Sequence, residues 1–425
     1  MTEPISTNDL ATIFKDLTPI PQNDGPYPVC TIAYSDAFQL AMGYFRAIIR
    51  SDERSERALR LTVTCLQHNP ANYTIWHYRR TVLNTLLSPS LSSNKHHQQQ
   101  QHQEEVEDMS KRRKLKDLQL AASLGGPNPK NYQVWYHRHA ILEDILLGKS
   151  NNSSSISTST LNRDGETKEE EGEENKDKNG GDDGGNCHGE RYWEDVDFWV
   201  RNELDYTAQV FEMDAKNYHA WSHRQWVIKS VNRDALWYEE KIFAHKLINE
   251  DPFNNSAWNH RWFVSHRGCN TISEEYMRME ADYAIKAAEL DPYNESPWRY
   301  LLGLIREFLF SLEHKEEDSE KVQVEHDTAT ATATTGKAVD EIIDYYLNEI
   351  DTIKNKLNSN SRNADHVGYC TQMVIAQVDL LEMKNDDLNA IGVALKYTLE
   401  LKDQDPIRKS YWEQREQALR SRLPK

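Results

Sequence analysis

The chain has 425 residues and a formal net charge of −18, which excludes a general nucleic-acid-binding surface, because such surfaces are basic in order to displace counterions from phosphates. Its five cysteines (Cys30, Cys65, Cys187, Cys269 and Cys370) stand far apart, with no CxxC pair and no Cys/His metal spacing, and read as reduced thiols. The N-terminus, MTEPISTNDLATIFKDL, is neither a signal peptide nor a basic transit sequence, and no apolar run approaches membrane-spanning length, so a cytoplasmic chain without a membrane span is expected.

Residues 1–33 read as an N-terminal tail, with PIPQNDGPYP as its Pro-containing part. From residue 34 onward the chain repeats itself. An apolar periodic segment, SERALRLTVTCLQHN, leads into NPANYTIWHYR around Trp76. A polar Gln/His-rich stretch, about 88–113, follows, and its run HHQQQQH has the composition of a flexible tract rather than of a metal site. Next come NPKNYQVWYHR around Trp135, a low-complexity acidic stretch at 149–190, and DAKNYHAWSHR around Trp221. DPFNNSAWNHR surrounds Trp258 and DPYNESPWRYL surrounds Trp298. A third insertion, about 314–337, precedes a C-terminal helical region whose phrase DPIRKSYWEQR around Trp412 is a degenerate sixth copy.

Trp221 to Trp258 spans 37 residues and Trp258 to Trp298 spans 40, the length of a helical hairpin. Apolar residues at helical spacing flank each phrase, so the unit is helix, turn, helix. Its Asn, four residues before every Trp, is placed to cap the second helix. One hairpin cannot bury its own apolar face, so the expected fold is an all-α solenoid of stacked helical hairpins, an α-α superhelix. The three insertions are expected to be disordered, since they cannot bury enough apolar surface to offset the cost of ordering them.

The copies serve as one another's controls. Trp, Asn and the Arg three residues after Trp recur (Arg79, Arg138, Arg224, Arg261), so the fold explains them. Lys130 and Lys216, the tyrosines Tyr73, Tyr132 and Tyr218, and the pair Gln133 and His219 belong to only some copies. They gather cations and hydrogen-bond donors beside free N–H groups at helix starts, an arrangement that suits an anion. Exposed polar turns with no ligand are an equal reading of the same residues.

The strings KNYQVWYHR and KNYHAWSHRQWV, with the weaker Trp series and the tail phrase IRKSYW, resemble the alpha-subunit repeats of protein prenyltransferases. The likeness is greatest to the alpha subunit shared by protein farnesyltransferase and type I geranylgeranyltransferase, and covers the chain from about Phe38 apart from the insertions. It implies a helical crescent around a separate beta subunit, which holds a zinc ion and most of the isoprenoid pocket. No metal ligand is expected on this chain, and magnesium is left open. The implied reaction transfers a farnesyl or geranylgeranyl group from its diphosphate to the cysteine of a C-terminal CaaX motif, on substrates such as small GTPases. By position, Lys130 and His219 match catalytic residues at the diphosphate. Tyr132, Asn217 and Tyr218 match residues lining the same region, and Gln133 matches a glutamine that meets the peptide carboxylate. Two alternatives stand beside this reading: the alpha subunit of Rab geranylgeranyltransferase, and a non-enzymatic helical scaffold that only binds proteins.

Overall fold

Serine and asparagine side chains set the helix starts. Ser35, Ser55 and Ser273 each accept a backbone N–H three residues on, satisfying donors that the first turn leaves unpaired. The computed structural model describes residues 3–30, 32–87, 99–147, 187–266, 272–320, 328–360, 370–384 and 387–424. Among these it contains α-helices, two short 3₁₀ turns and no strand. The chain divides into two units, residues 1–231 and 232–425.

In the first unit α1 (Leu10–Ile13) and α2 (Asp36–Arg50) precede three hairpins. These pair α3 (Glu56–His68) with α4 (Tyr73–Leu87), α5 (Gln99–Gly125) with α6 (Tyr132–Leu146), and α7 (Cys187–Met213) with α8 (Tyr218–Val231). The second helices of successive hairpins pack side by side, α4 on α6 and α6 on α8. Trp76, Trp135 and Trp221, the tryptophans of the repeated phrase, are all buried.

The second unit continues the pattern. It pairs α9 (Asp234–Glu250) with α10 (Asn255–His266) and α11 (Glu274–Leu290) with α12 (Glu295–Glu320). Then come α13 (Thr328–Asn360), α14 (Thr371–Met383), α15 (Leu388–Gln404) and α16 (Lys409–Arg422). One core gathers Trp258, Trp298, Leu304, Ile343 and Tyr346, and a second gathers Val378, Ile391, Leu401 and Trp412. The expected stack of hairpins is thus present in both units.

Two expectations change. The N-terminal tail does not run free over its whole length. Ile5, Leu10 and Phe14 are buried, and Thr64 on α3 both receives the Ile5 N–H (2.9 Å) and donates to the Ile5 carbonyl (3.0 Å). Further on, Ile20 donates to the Gly43 carbonyl at 3.0 Å. A Cβ on Gly43 would stand 3.0 Å from Pro19 Cβ, so glycine permits this close crossing. The helices also reach into the stretches expected to be insertions. α5 begins at Gln99, α7 at Cys187, α12 runs to Glu320 and α13 starts at Thr328. Segments 88–98, 148–186 and 321–327 lie outside the described residues.

Candidate anion site at the hairpin turns

Each turn of the repeat is organised around one backbone carbonyl. Trp76 donates its indole N–H to the Pro70 carbonyl, six residues earlier, at 2.8 Å. Trp135 does the same to Pro129, Trp258 to Pro252 and Trp298 to Pro292, while Trp221 uses Ala215. The Asn of the following repeat then donates to that carbonyl. Asn131 Nδ2 reaches Pro70 O at 2.8 Å, Asn217 reaches Pro129 at 3.2 Å, and Asn294 reaches Pro252 at 2.7 Å. The Oδ1 atoms of the same asparagines cap their own helices, accepting from Gln133 N, Ala220 N and Ser296 N. One amide therefore caps a helix and ties it to the preceding repeat.

This tie places the start of α8 against the turn before α6, next to Lys130. Lys130 is exposed, Tyr132 and Tyr218 are 61% and 74% exposed, and His219 is half-buried with its ring 5.7 Å from Tyr218. Two helix N-termini with a lysine, two phenols and an imidazole lie on neighbouring turns. Partial positive charge at each helix start adds to the lysine charge, and the arrangement can hold a multiply charged anion. Gln133 sits in the first turn of α6 and is only 6% exposed.

Asn217 is buried at 1% exposure, and both of its polar atoms are engaged. The cap and the tie account for this residue, which was expected to line the diphosphate region. The residue builds the site by joining the two turns.

Behind the turns runs a second pattern that sequence reading caught only in part. The recurrent Arg is tethered to a carboxylate: Arg79 makes a two-pronged pair with Asp117 (2.9 and 2.7 Å), Arg138 with Glu203 (3.0 and 2.6 Å), and Arg261 with Glu280 (2.8 and 3.0 Å). Each carboxylate also takes a hydrogen bond from the residue two after Trp in its own repeat. These donors are His137 to Asp117 (2.6 Å), His223 to Glu203 (2.8 Å) and Tyr300 to Glu280 (2.6 Å). Burial opposes ionisation of Glu203, but Arg138 and the His223 hydrogen bond hold its carboxyl at about 2. Arg79 and His137 likewise hold Asp117 well below the usual carboxylate range against its burial. Desolvation pushes the His137 imidazole below its ordinary value, so it stays neutral beside Asp117.

The sequence agrees with known proteins over the same elements. It matches the family profile described as protein prenyltransferase alpha subunit repeat at residues 55–86, 115–145, 200–231 and 237–267. It is 33% identical to the protein farnesyltransferase/geranylgeranyltransferase type-1 subunit alpha of Dictyostelium discoideum, over 69% of each chain. It is 35% identical to the subunit of the same name from Arabidopsis thaliana, over 69% of this chain and 67% of the relative. The chain belongs to the protein prenyltransferase alpha-subunit family. The fold agrees too: Candida albicans protein geranylgeranyltransferase-I complexed with GGPP superposes with a TM-score of 0.59 over 95% of this chain and 98% of that one, at 21% identity.

Two features of this prenyltransferase alpha chain escaped the Trp-centred reading. The carboxylates Asp117, Glu203, Glu240 and Glu280 each precede their His or Tyr partner by 20 residues, a spacing that aligning the copies could have exposed. A further copy also hides at α14. There Cys370 takes the helix-capping position and donates its thiol to the Pro292 carbonyl at 2.9 Å, where other repeats use Asn. Cys65 and Cys370 are buried and Cys30 is exposed, all as free thiols. Among the described residues no group of three His, Cys, Asp or Glu side chains could hold a metal ion. Among them also, no helix is long and apolar enough to cross a membrane.

Proposed function

We propose that the chain works as the alpha subunit of a heterodimeric cytoplasmic enzyme that transfers a farnesyl or geranylgeranyl group from its diphosphate to the cysteine of C-terminal CaaX sequences. The observation that supports this most is the Asn217 tie to Pro129. It joins the turn before α6, which includes Lys130, to the start of α8, which includes His219, in a chain whose relatives are named protein farnesyltransferase/geranylgeranyltransferase type-1 subunit alpha. In the transfer a C–S bond forms to the first isoprenoid carbon, the C–O bond to diphosphate breaks, and its electron pair leaves with the diphosphate. Lys130 and the two helix starts face that growing charge, with Tyr132, Tyr218 and His219 as hydrogen-bond donors. Gln133 meets the peptide carboxylate. A beta subunit supplies the isoprenoid pocket and the zinc, which lowers the pKa of the attacking thiol. The part of this chain's own residues is binding and orientation. Magnesium at the diphosphate remains compatible with this arrangement.

Interactions that strengthen only as charge develops lower the chemical rate and leave ground-state affinity almost unchanged. In the heterodimer, Lys130→Ala is expected to slow the single-turnover transfer step about 10- to 100-fold, the scale of one lost charge-assisted contact. Prenyl-diphosphate affinity should change far less. His219→Ala should act in the same direction and more mildly. An unchanged transfer rate in the Lys130 variant would return this residue to an exposed turn with no ligand.

A further inference from the structure

We infer that Glu203 is a positioning residue for the transfer reaction, fixing through its buried carboxylate the relative register of the two helices that present Lys130 and His219. The inference rests on the reading of those two residues given above. Glu203 lies on α7, is fully buried, and accepts from both neighbours of the site. From α6, Arg138 donates Nε to Oε2 (3.0 Å) and Nη2 to Oε1 (2.6 Å). From α8, His223 Nε2 pairs with Oε2 at 2.8 Å. Asn202 adds a fourth bond to Oε1 at 3.3 Å, so the oxygens are fully occupied. Arg138 is further pinned by the Leu118 carbonyl at 2.7 Å and by the Tyr206 ring, 3.7 Å from its guanidinium carbon.

His223 follows His219 by four residues, one turn below it on the same face of α8. Arg138 stands on α6 in the second turn after Gln133. Any rotation or slide of α8 against α6 must therefore break a bond to Glu203 before it can move His219 away from Lys130. A carboxylate with four donors has no alternative geometry that keeps them all. Near the reacting atoms a misplacement of about 1 Å can cost roughly 100-fold in rate, so a buried hub of this kind bears on chemistry as well as on folding. The same device on Glu280 joins α10, α11 and α12 through Arg261 and Tyr300. Those helices carry none of the proposed site residues, which makes it a matched control.

The experiment compares His223→Phe with Tyr300→Phe in the purified heterodimer. Each change removes one donor to a buried carboxylate and keeps an aromatic ring. Thermal stability, single-turnover transfer rate and peptide KM are measured together, with Glu203→Gln and Lys130→Ala alongside. His223→Phe is expected to slow transfer about tenfold or more while Tyr300→Phe loses stability without slowing transfer. His223→Gln, whose amide retains a donor to Glu203, should recover most of the rate. Should Glu203→Gln fail to fold, the His223 arm decides the matter. If Lys130→Ala slows transfer but the His223 and Tyr300 variants transfer at equal rates, the positioning role is overturned and the anion site stands. If neither Lys130→Ala nor His223→Phe slows transfer, both fall.

Discussion

The amide of Asn217 does two jobs, accepting from Ala220 N at 3.0 Å and donating to the Pro129 carbonyl at 3.2 Å. Substituting Asp separates them, because a carboxylate still caps the helix but offers no N–H to the carbonyl. Asn217→Asp is therefore expected to keep α8 helical, destabilise the fold by roughly 1–3 kcal/mol because a buried carboxylate oxygen is left without a donor beside a carbonyl that keeps only its Trp135 bond, and slow single-turnover transfer. A variant that loses stability but transfers at the wild-type rate would show that the tie does not place His219. Asn and Trp were legible in the sequence because a hydrogen bond to a backbone atom at fixed register leaves a fixed spacing. The Arg partners were not. Arg79 and Asp117 are 38 residues apart, Arg138 and Glu203 65, and Arg261 and Glu280 19, because insertions of unequal length separate them. The full burial of Asn217 was equally invisible, since exposure depends on the neighbouring turn.

At the level of elements, the hairpins follow from periodicity, caps and turn residues, and these could be read directly. The docking of the N-terminal segment could not. Leu10, Ile13 and Phe14 stand at helical spacing, but α1 has only four residues and Ile5 lies outside it, so the pattern is too short to say what it packs against. They are held instead by contacts far along the chain, such as Phe14 against Tyr44 with ring centroids 5.5 Å apart. Arg57 adds bonds to the Ile13 carbonyl and Asp16. Phe14→Ala should cost about 3–5 kcal/mol, the range for a fully buried aromatic, and should expose residues 3–20 to protease before the rest of the chain. Equal resistance of the variant and the parent chain would mean that the segment contributes nothing to the first layer. The ends of α5, α12 and α13 were misjudged for a related reason. Charged, Gln-rich or Thr-rich sequence looks unable to form a core, yet these residues are adequate helix formers where no proline stops the helix.

Across the whole molecule, buried carboxylates recur as Asp117, Glu203 and Glu280, each held below its ordinary value against burial by an arginine. Their unfolded forms bind protons first as pH falls. The stability they contribute is complete above about 4.5 for Glu203 and is lost as pH drops toward about 2. His137, pushed below its ordinary 6.5 by desolvation, has the same sign, since it resists the proton that the unfolded chain accepts. Melting temperature should therefore fall steadily from about pH 6.5 downward, more steeply below pH 4.5. A melting temperature that held or rose as pH fell from 4.5 toward 2 would contradict the buried ionised hubs. The short turns that carry Lys130 and lead into His219 have one more consequence. In an antiparallel hairpin the Pro–Asn turn lies at one end and the link to the next hairpin at the other. The turns have only 4–6 residues (69–72, 126–131 and 214–217), whereas the links bridge from Leu87 to Gln99 and from Leu147 to Cys187. Growth in chain length is thereby confined to the ends of α4 and α6 remote from the proposed anion site. Lineages, or engineers adding tags and sensors, can lengthen the chain there without disturbing the turns of the proposed site.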